Sequence, residues 1–165
     1  MPSSGNASVT LIDGRSGAGK SVFAANLAEQ QSAVLVSIDD VYPGWDGLDA
    51  GSWHIHWHLV TPFLAGLAGR YRPWLWEEGR RGDWVEIPPG KPLIVEGCGA
   101  IRRESPLEST TRIWIETDDE IRRARALERD GEMYAPHWTR WALQEERFLE
   151  RHHSRDISSE IRSLG

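Results

Sequence analysis

One short stretch constrains this chain more than any other. "GRSGAGKS", Gly14 to Ser21, stands between an apolar run, "SVTLID", and a segment with helical spacing, "VFAANLAEQQ". It satisfies G-x-x-x-x-G-K-[ST] at every fixed position, in the strand-to-helix setting that pattern requires. Glycines there let backbone N–H groups turn inward to form an anion nest, and the positive end of a helix dipole adds to it. Lys20 can reach the terminal phosphates of a nucleotide, and Ser21 can ligate Mg²⁺. The expectation is a bound nucleoside triphosphate. Its cradle would be Gly14, Arg15, Ser16, Gly17, Ala18, Gly19, Lys20, Ser21 and Val22, with ATP and Mg²⁺ as the cofactors.

The rest of the chain supplies the matching architecture. "AVLVSI" (33–38), "PLIVEG" and "TRIWIET" read as further buried strands, too continuously apolar for one wet face. "DDEIRRARALERDG" reads as a helix with acids in its first turn and Gly131 after its end. "APHWTRWALQEERFLERHH" reads as another helix, with Pro136 near its start. Residues 43–51, with three glycines and a proline, read as a loop, and "WHIHWHLVTPFLAGLAG" as a helix interrupted near Pro62. "YRPWLWEEGRRGDWVEIPPGK" mixes polar and aromatic residues and ends in a turn. The last dozen residues are read as an edge strand at most. Strands alternating with helices imply a parallel sheet covered on both faces. The expected fold is therefore α/β, a P-loop NTPase three-layer sandwich with four to five parallel strands. It forms one domain over 1–165.

Acids follow two of these strands. Asp39 and Asp40 lie at the carboxyl end of the second strand, and Glu96 at the end of the third. Ligands of open α/β sheets gather beyond those ends. A carboxylate there can take the proton of an attacking hydroxyl or hold Mg²⁺. Ser21, Asp39 and Glu96 are thus the candidate metal ligands. Arg122, Arg125 and Arg129 are spaced three and four apart on one helix face, where they could neutralise charge on a transferring phosphoryl group. A solvated helix with Glu/Arg pairs is the plainer reading of the same residues.

"GRSGAGKS", "SIDDVY", "LIVEG" and "RARALERDG" occur in an order and spacing that resembles the uridine kinase-like branch of P-loop kinases, over residues 9–151. The resemblance implies that Asp39 is the base for the acceptor hydroxyl and that Tyr42 matches the tyrosine of the same motif. It implies that Glu96 matches the strand-end glutamate. It also implies an Arg-bearing helical lid over about 122–140, with Arg125, Arg129 and Asp130 on its matching positions. The catalytic set so implied is Asp39, Lys20, Arg125 and Arg129. The chain departs from the family where nucleosides are recognised: Tyr71 is followed by Arg72, not by an aspartate.

The acceptor region therefore rests on residue chemistry alone. It spans about 41–88, with Asp39, Asp40, Tyr42, Trp45 and Asp46 as candidate contacts. Six of the nine tryptophans fall between 45 and 84. Flat walls suit a planar ligand, although core filling explains any one of them as well. His54, His56 and His58 have no carboxylate beside them to complete a metal set, and read as surface or core histidines. Arg70, Arg72, Arg80 and Arg81 could grip an acceptor phosphate or simply be solvated.

These features lead to an ATP-dependent phosphotransferase acting on a hydroxyl of a nucleoside-like or other small metabolite. The alternatives are a nucleoside monophosphate kinase and a regulatory nucleotide-binding ATPase. Neither the Asn-Lys-x-Asp guanine motif nor a Leu-Ser-Gly-Gly-Gln stretch occurs. The net charge of −6 gives no basic field for nucleic acid. One cysteine, Cys98, permits no internal disulfide and suits a reducing cytoplasm. No apolar run reaches the ~18 residues of a membrane span. The expected partners are ATP and a small acceptor, with no nucleic acid and no membrane; a homodimer stays open.

Overall fold

A computed structural model describes residues 8–131 and 135–164. Its centre is a strand buried from end to end. β1 (Val9–Asp13) is buried at all five positions because a strand lies on each side and helices lie above and below. β7 (Leu93–Glu96) pairs with one edge of β1, and β8 (Thr110–Glu116) with the other, both in parallel. β2 (Val34–Ser37) flanks β7, and β9 (Glu160–Ser163) flanks β8, also in parallel. Among the described residues the sheet has five strands in the order β2-β7-β1-β8-β9, all parallel. The edge strand expected at the carboxyl end is thus present and closes that side.

Alternation along the strands divides the core in two. Ile12, Ile94, Ile113 and Ile115 point to the face covered by α1 (Lys20–Gln31), whose Ala24 and Ala28 form a small-residue stripe. Val9, Leu11, Val36, Leu93 and Val95 point to the other face. That face is covered by α2 (Leu48–Ile55) and by α5 (Trp138–His152), which contributes Trp141 and Phe148. This is the helix–sheet–helix sandwich the sequence implied. Among the described residues, no helix is long and apolar enough to cross a membrane.

Three local readings change. The glycine-rich loop ends early: α2 begins at Leu48, inside the 43–51 segment. A side chain at Gly51 would sit 2.6 Å from the Tyr42 ring, so the glycine is there for close packing rather than for a turn. Pro62 does not break the helical stretch, which continues as α3 (Thr61–Leu64). A π turn (His56–Val60) precedes it, the Thr61 N–H donates to the His56 carbonyl, and the Thr61 hydroxyl donates to that carbonyl at 2.9 Å. Finally, 69–87 forms nested hairpins. β3 (Gly69–Tyr71) pairs antiparallel with β6 (Val85–Ile87), and β4 (Trp74–Leu75) pairs with β5 (Arg80–Arg81) inside them.

α4 (Asp119–Asp130) carries the arginines of the expected lid, with the Asp118 side chain capping its start by accepting from Glu120 N. Residues 132–134 of that lid, and the Asp130 side chain, lie outside the described residues.

Candidate phosphate-binding and transfer site

The loop between β1 and α1 is shaped by backbone that only glycine adopts cheaply. Gly17 has φ +78° and Gly19 φ +102°. Gly17 also has no room: a Cβ would lie 1.9 Å from the carbonyl oxygen of Arg122 in α4. Gly19 is the N-cap of α1, and no side chain caps that helix, so its first N–H groups face the loop's interior. Lys20 is 8% exposed, and its Nζ donates to the Arg15 carbonyl at 2.9 Å, across the loop. Burial disfavours its ammonium form. The acidic groups around it, Cys98, Glu145, Asp39 and Asp13, outweigh that and hold its pKa above the ordinary lysine value.

A cleft of about 250 Å³ opens in front of this loop. It is lined by Ser16, Gly17, Gly19, Lys20, Ser21 and Val22 from the loop and helix, by Asp39 and Glu96 from the strand ends, and by Arg125 and Arg129 from α4. The Ser21 hydroxyl donates to the Glu96 carboxylate, 3.1 and 3.2 Å from its two oxygens. Burial pushes the Glu96 carboxyl above its ordinary pKa, against the hydrogen bonds of Ser37 and Ser21. An inward-turned glycine backbone, a buried lysine and a serine–carboxylate pair fit a magnesium-bound phosphate chain.

The remaining candidates are placed elsewhere. Ala18 is fully buried in the core, and Arg15 turns away to α5. Gly14 ends β1, with its N–H donating to Asp13 at 2.7 Å. Asp39 and Asp40 lie on a tight turn, Ile38–Asp40, which sends only Asp39 into the cleft. Partial burial and the neighbouring Asp39 raise the Asp40 pKa. Tyr42 is buried, and its hydroxyl donates to the Cys98 carbonyl at 2.6 Å. Trp45 stacks on His137 with centroids 4.4 Å apart and leans on Trp76 at 5.4 Å. Asp46 is exposed and forms an ion pair with Arg140, accepting from Arg140 Nε at 2.6 Å. Arg122 leaves the face it would share with Arg125: it is 5% exposed and donates to the Ser16 carbonyl at 3.1 Å.

The structure adds residues that the sequence reading passed over. Asp13 is 2% exposed and accepts from the N–H groups of Gly14, Gly99 and Ile101. It thereby ties the start of the loop to the turn after β7, and burial pushes its pKa up to about 7. An acid ending an apolar strand was the signal, as it was for Glu96. Glu145 is 4% exposed and accepts from Ser16 N at 2.8 Å and from Arg15 Nε at 2.9 Å. Its signal was positional. Trp141, Glu145, Phe148 and His152 repeat at helical spacing along the buried face of α5, and one of them is an acid.

Comparison with known proteins bears on the fold. No family model matches the sequence, and no curated protein matches it. Solved structures do. One is a possible uridine kinase from Bacillus stearothermophilus, at TM-score 0.62 and 16% identity, covering 95% of this chain and 89% of that one. Another is a gluconokinase from Sinorhizobium meliloti, at TM-score 0.53 and 15% identity, covering 96% and 82%. A third is an uncharacterised protein from Eubacterium ventriosum, at TM-score 0.54 and 14% identity, covering 96% and 88%. The likeness runs over nearly the whole chain and is one of fold, the three-layer sandwich around a parallel sheet.

Proposed function

We propose that the protein is a small-molecule kinase that transfers the γ-phosphoryl group of ATP to a hydroxyl. The observation carrying this reading is convergence. Lys20, the Ser21–Glu96 pair and Asp39 line one cleft together with Arg125 and Arg129. Each belongs to a different part of phosphoryl transfer. The backbone of 15–21 and the Lys20 ammonium hold the phosphates. Ser21 and Glu96 hold Mg²⁺, which when bound neutralises charge on the phosphate oxygens. Asp39, at the mouth of the sheet, orients the acceptor hydroxyl and takes its proton as the oxygen attacks phosphorus. Arg125 and Arg129 meet the charge on the group in transit and keep water from competing.

A hydroxyl acceptor is favoured over a phosphate acceptor by how the arginines near the acceptor region are engaged. Arg81 donates to the carbonyls of Val41 and Arg72, and Arg72 Nε donates to the Gly82 carbonyl at 2.7 Å. Arg80 pairs with Glu78, and Arg70 lies 4.3 Å over the Trp84 ring. These cations fasten the hairpins; a clamp on an incoming phosphate would have to give those contacts up. The two named structural neighbours are, by those names, kinases of different acceptors, and the nested hairpins here are where this chain's own choice would be made.

The test is ADP formation by the purified chain with Mg²⁺-ATP against nucleosides, nucleoside monophosphates, sugars, sugar acids and vitamin alcohols. One acceptor class should accelerate ADP release well above the acceptor-free rate. Asp39→Asn should retain nucleotide binding and lose transfer by roughly 10²–10⁴-fold. Undiminished turnover in that variant would remove Asp39 from the role of base.

A further inference from the structure

α5 touches both halves of the cleft, and it does so with adjacent residues. On one side its Glu145 carboxylate accepts from Ser16 N at 2.8 Å and from Arg15 Nε at 2.9 Å. The Cys98 thiol donates to the same carboxylate at 3.2 Å, and Arg15 Nη2 donates to the Ala142 carbonyl at 3.2 Å. A carboxylate buried this deeply is stable only while its donors stay in place. On the other side, Gln144 Nε2 donates to the Trp45 carbonyl at 2.6 Å, and Gln144 Oε1 accepts from Leu48 N at 3.2 Å. The second contact caps α2, which has no side-chain cap of its own. Arg140 pairs with Asp46, His137 stacks on Trp45, and Trp141 meets the edge of Tyr42 at 4.7 Å.

The segment 42–48 is therefore hydrogen-bonded to α5 through Gln144, and the phosphate loop is hydrogen-bonded to the same helix one residue further on, through Glu145. We propose that α5 couples the two substrate sites, with Glu145 and Gln144 as its positioning residues. Neither touches the reacting atoms. Occupation of the loop by a nucleotide fixes the Ser16 amide and the Arg15 backbone, which fixes the Glu145 carboxylate and with it the register of α5. Gln144 then presents a fixed acceptor to Leu48 and a fixed donor to Trp45. The segment that follows Asp39 is thereby held more firmly for the acceptor when the donor nucleotide is in place. This is a coupling of two sites through a shared rigid element, and it works in both directions. It rests on the reading that the loop holds a nucleotide.

Hydrogen exchange on the full chain, with and without Mg²⁺ and the non-hydrolysable analogue AMP-PNP, separates the possibilities. In the wild type the analogue should slow exchange at 14–21 and, to a lesser degree, at 42–48. Gln144→Ala should keep the protection at 14–21 and lose the nucleotide-dependent change at 42–48. A merely structural Gln144 would instead speed exchange at 42–48 equally in both states, leaving the ratio untouched; that result overturns the proposal. Glu145→Gln preserves volume but offers one carbonyl oxygen where two carboxylate oxygens served, so Ser16 N or Arg15 loses its partner. It should weaken AMP-PNP binding roughly tenfold and shrink the 42–48 response, since a charged hydrogen bond of this kind is lost. Protection at 14–21 with no response at 42–48 in the wild type sinks the coupling and leaves the kinase reading standing. No protection at either segment sinks both.

Discussion

The two sides of the cleft are built differently. The phosphate side is regular. A buried strand, a glycine loop and a helix start place Lys20 and Ser21, and the end of another strand places Glu96. Its shape depends on backbone, fastened by side chains at strand and helix ends and by Glu145 from the middle of α5. The proposed acceptor side has short irregular pieces: a three-residue turn at Asp39, a helix with a π turn, and hairpins of two and three residues per strand. Its shape depends on side chains gripping carbonyls, as Arg81 and Arg72 do, and on rings gripping rings. On the proposed function, one side fixes the chemistry and tolerates little change. The other can be rebuilt piece by piece around the same chemistry, which is how one fold comes to host different acceptors.

Substitutions can break that contrast or sharpen it. The largest effect is expected for Lys20→Met, which keeps the stem and removes the charge: phosphoryl transfer should fall by roughly 10²–10³-fold in the ADP assay, with the fold kept by circular dichroism. Gly17→Ala comes next. Its Cβ would strike the Arg122 carbonyl, at a backbone angle alanine avoids, so stability should drop on the order of 3–5 kcal/mol in urea titration. Arg81→Gln should cost less, about 1–3 kcal/mol. It frees the Val41 and Arg72 carbonyls, and it should lower AMP-PNP affinity less than Glu145→Gln does, because its contacts lie with Val41 and the hairpins. An equal loss of nucleotide affinity in that variant would mean that the two sides are not separable.

The pH dependence gives a smaller effect. Burial lowers the His152 pKa from 6.5 to about 4, so between those values the unfolded chain binds the extra proton and the folded chain does not. This stability is present above pH 6.5 and is lost as the pH falls toward 4. Asp13 opposes it, because its raised pKa makes the folded state the proton binder between 4 and 7. The difference between wild type and His152→Asn isolates the histidine: the variant should lack on the order of 1–3 kcal/mol of the wild-type loss between pH 7 and pH 4. The smallest effect is expected for Asp46→Asn. An exposed ion pair contributes little, so the melting temperature should not move measurably.

Legibility in the sequence followed the same divide. The parallel sheet, and the meeting of the glycine loop, Asp39 and Glu96 at one cleft, could be read because apolar runs ending in an acid or a glycine carry their own periodicity and context. Tyr42 and Asp46 could not be placed: whether a tyrosine faces a ligand or the Cys98 carbonyl is decided by α5, a hundred residues away in the chain. The π turn was hidden because Pro62 looks like a breaker until the His56 carbonyl finds Thr61. The hairpins were hidden because strands of two residues have no pattern to show. Glu145 was readable in principle, as an acid on a buried helical stripe.

The strand order has a consequence for the timing of synthesis. β1 leaves the ribosome well before the strands it pairs with, since Val9 has its partners at Leu93 and Thr110. The loop that follows β1 waits longer still, for Arg122 to back Gly17 and for Glu145 to accept from Ser16. At ~5–20 residues per second the phosphate loop therefore spends many seconds as unstructured chain. Nucleotide can stabilise the nascent loop only once Glu145 has emerged, and until Leu93 has emerged β1 has no sheet neighbour and is a segment that a chaperone would hold.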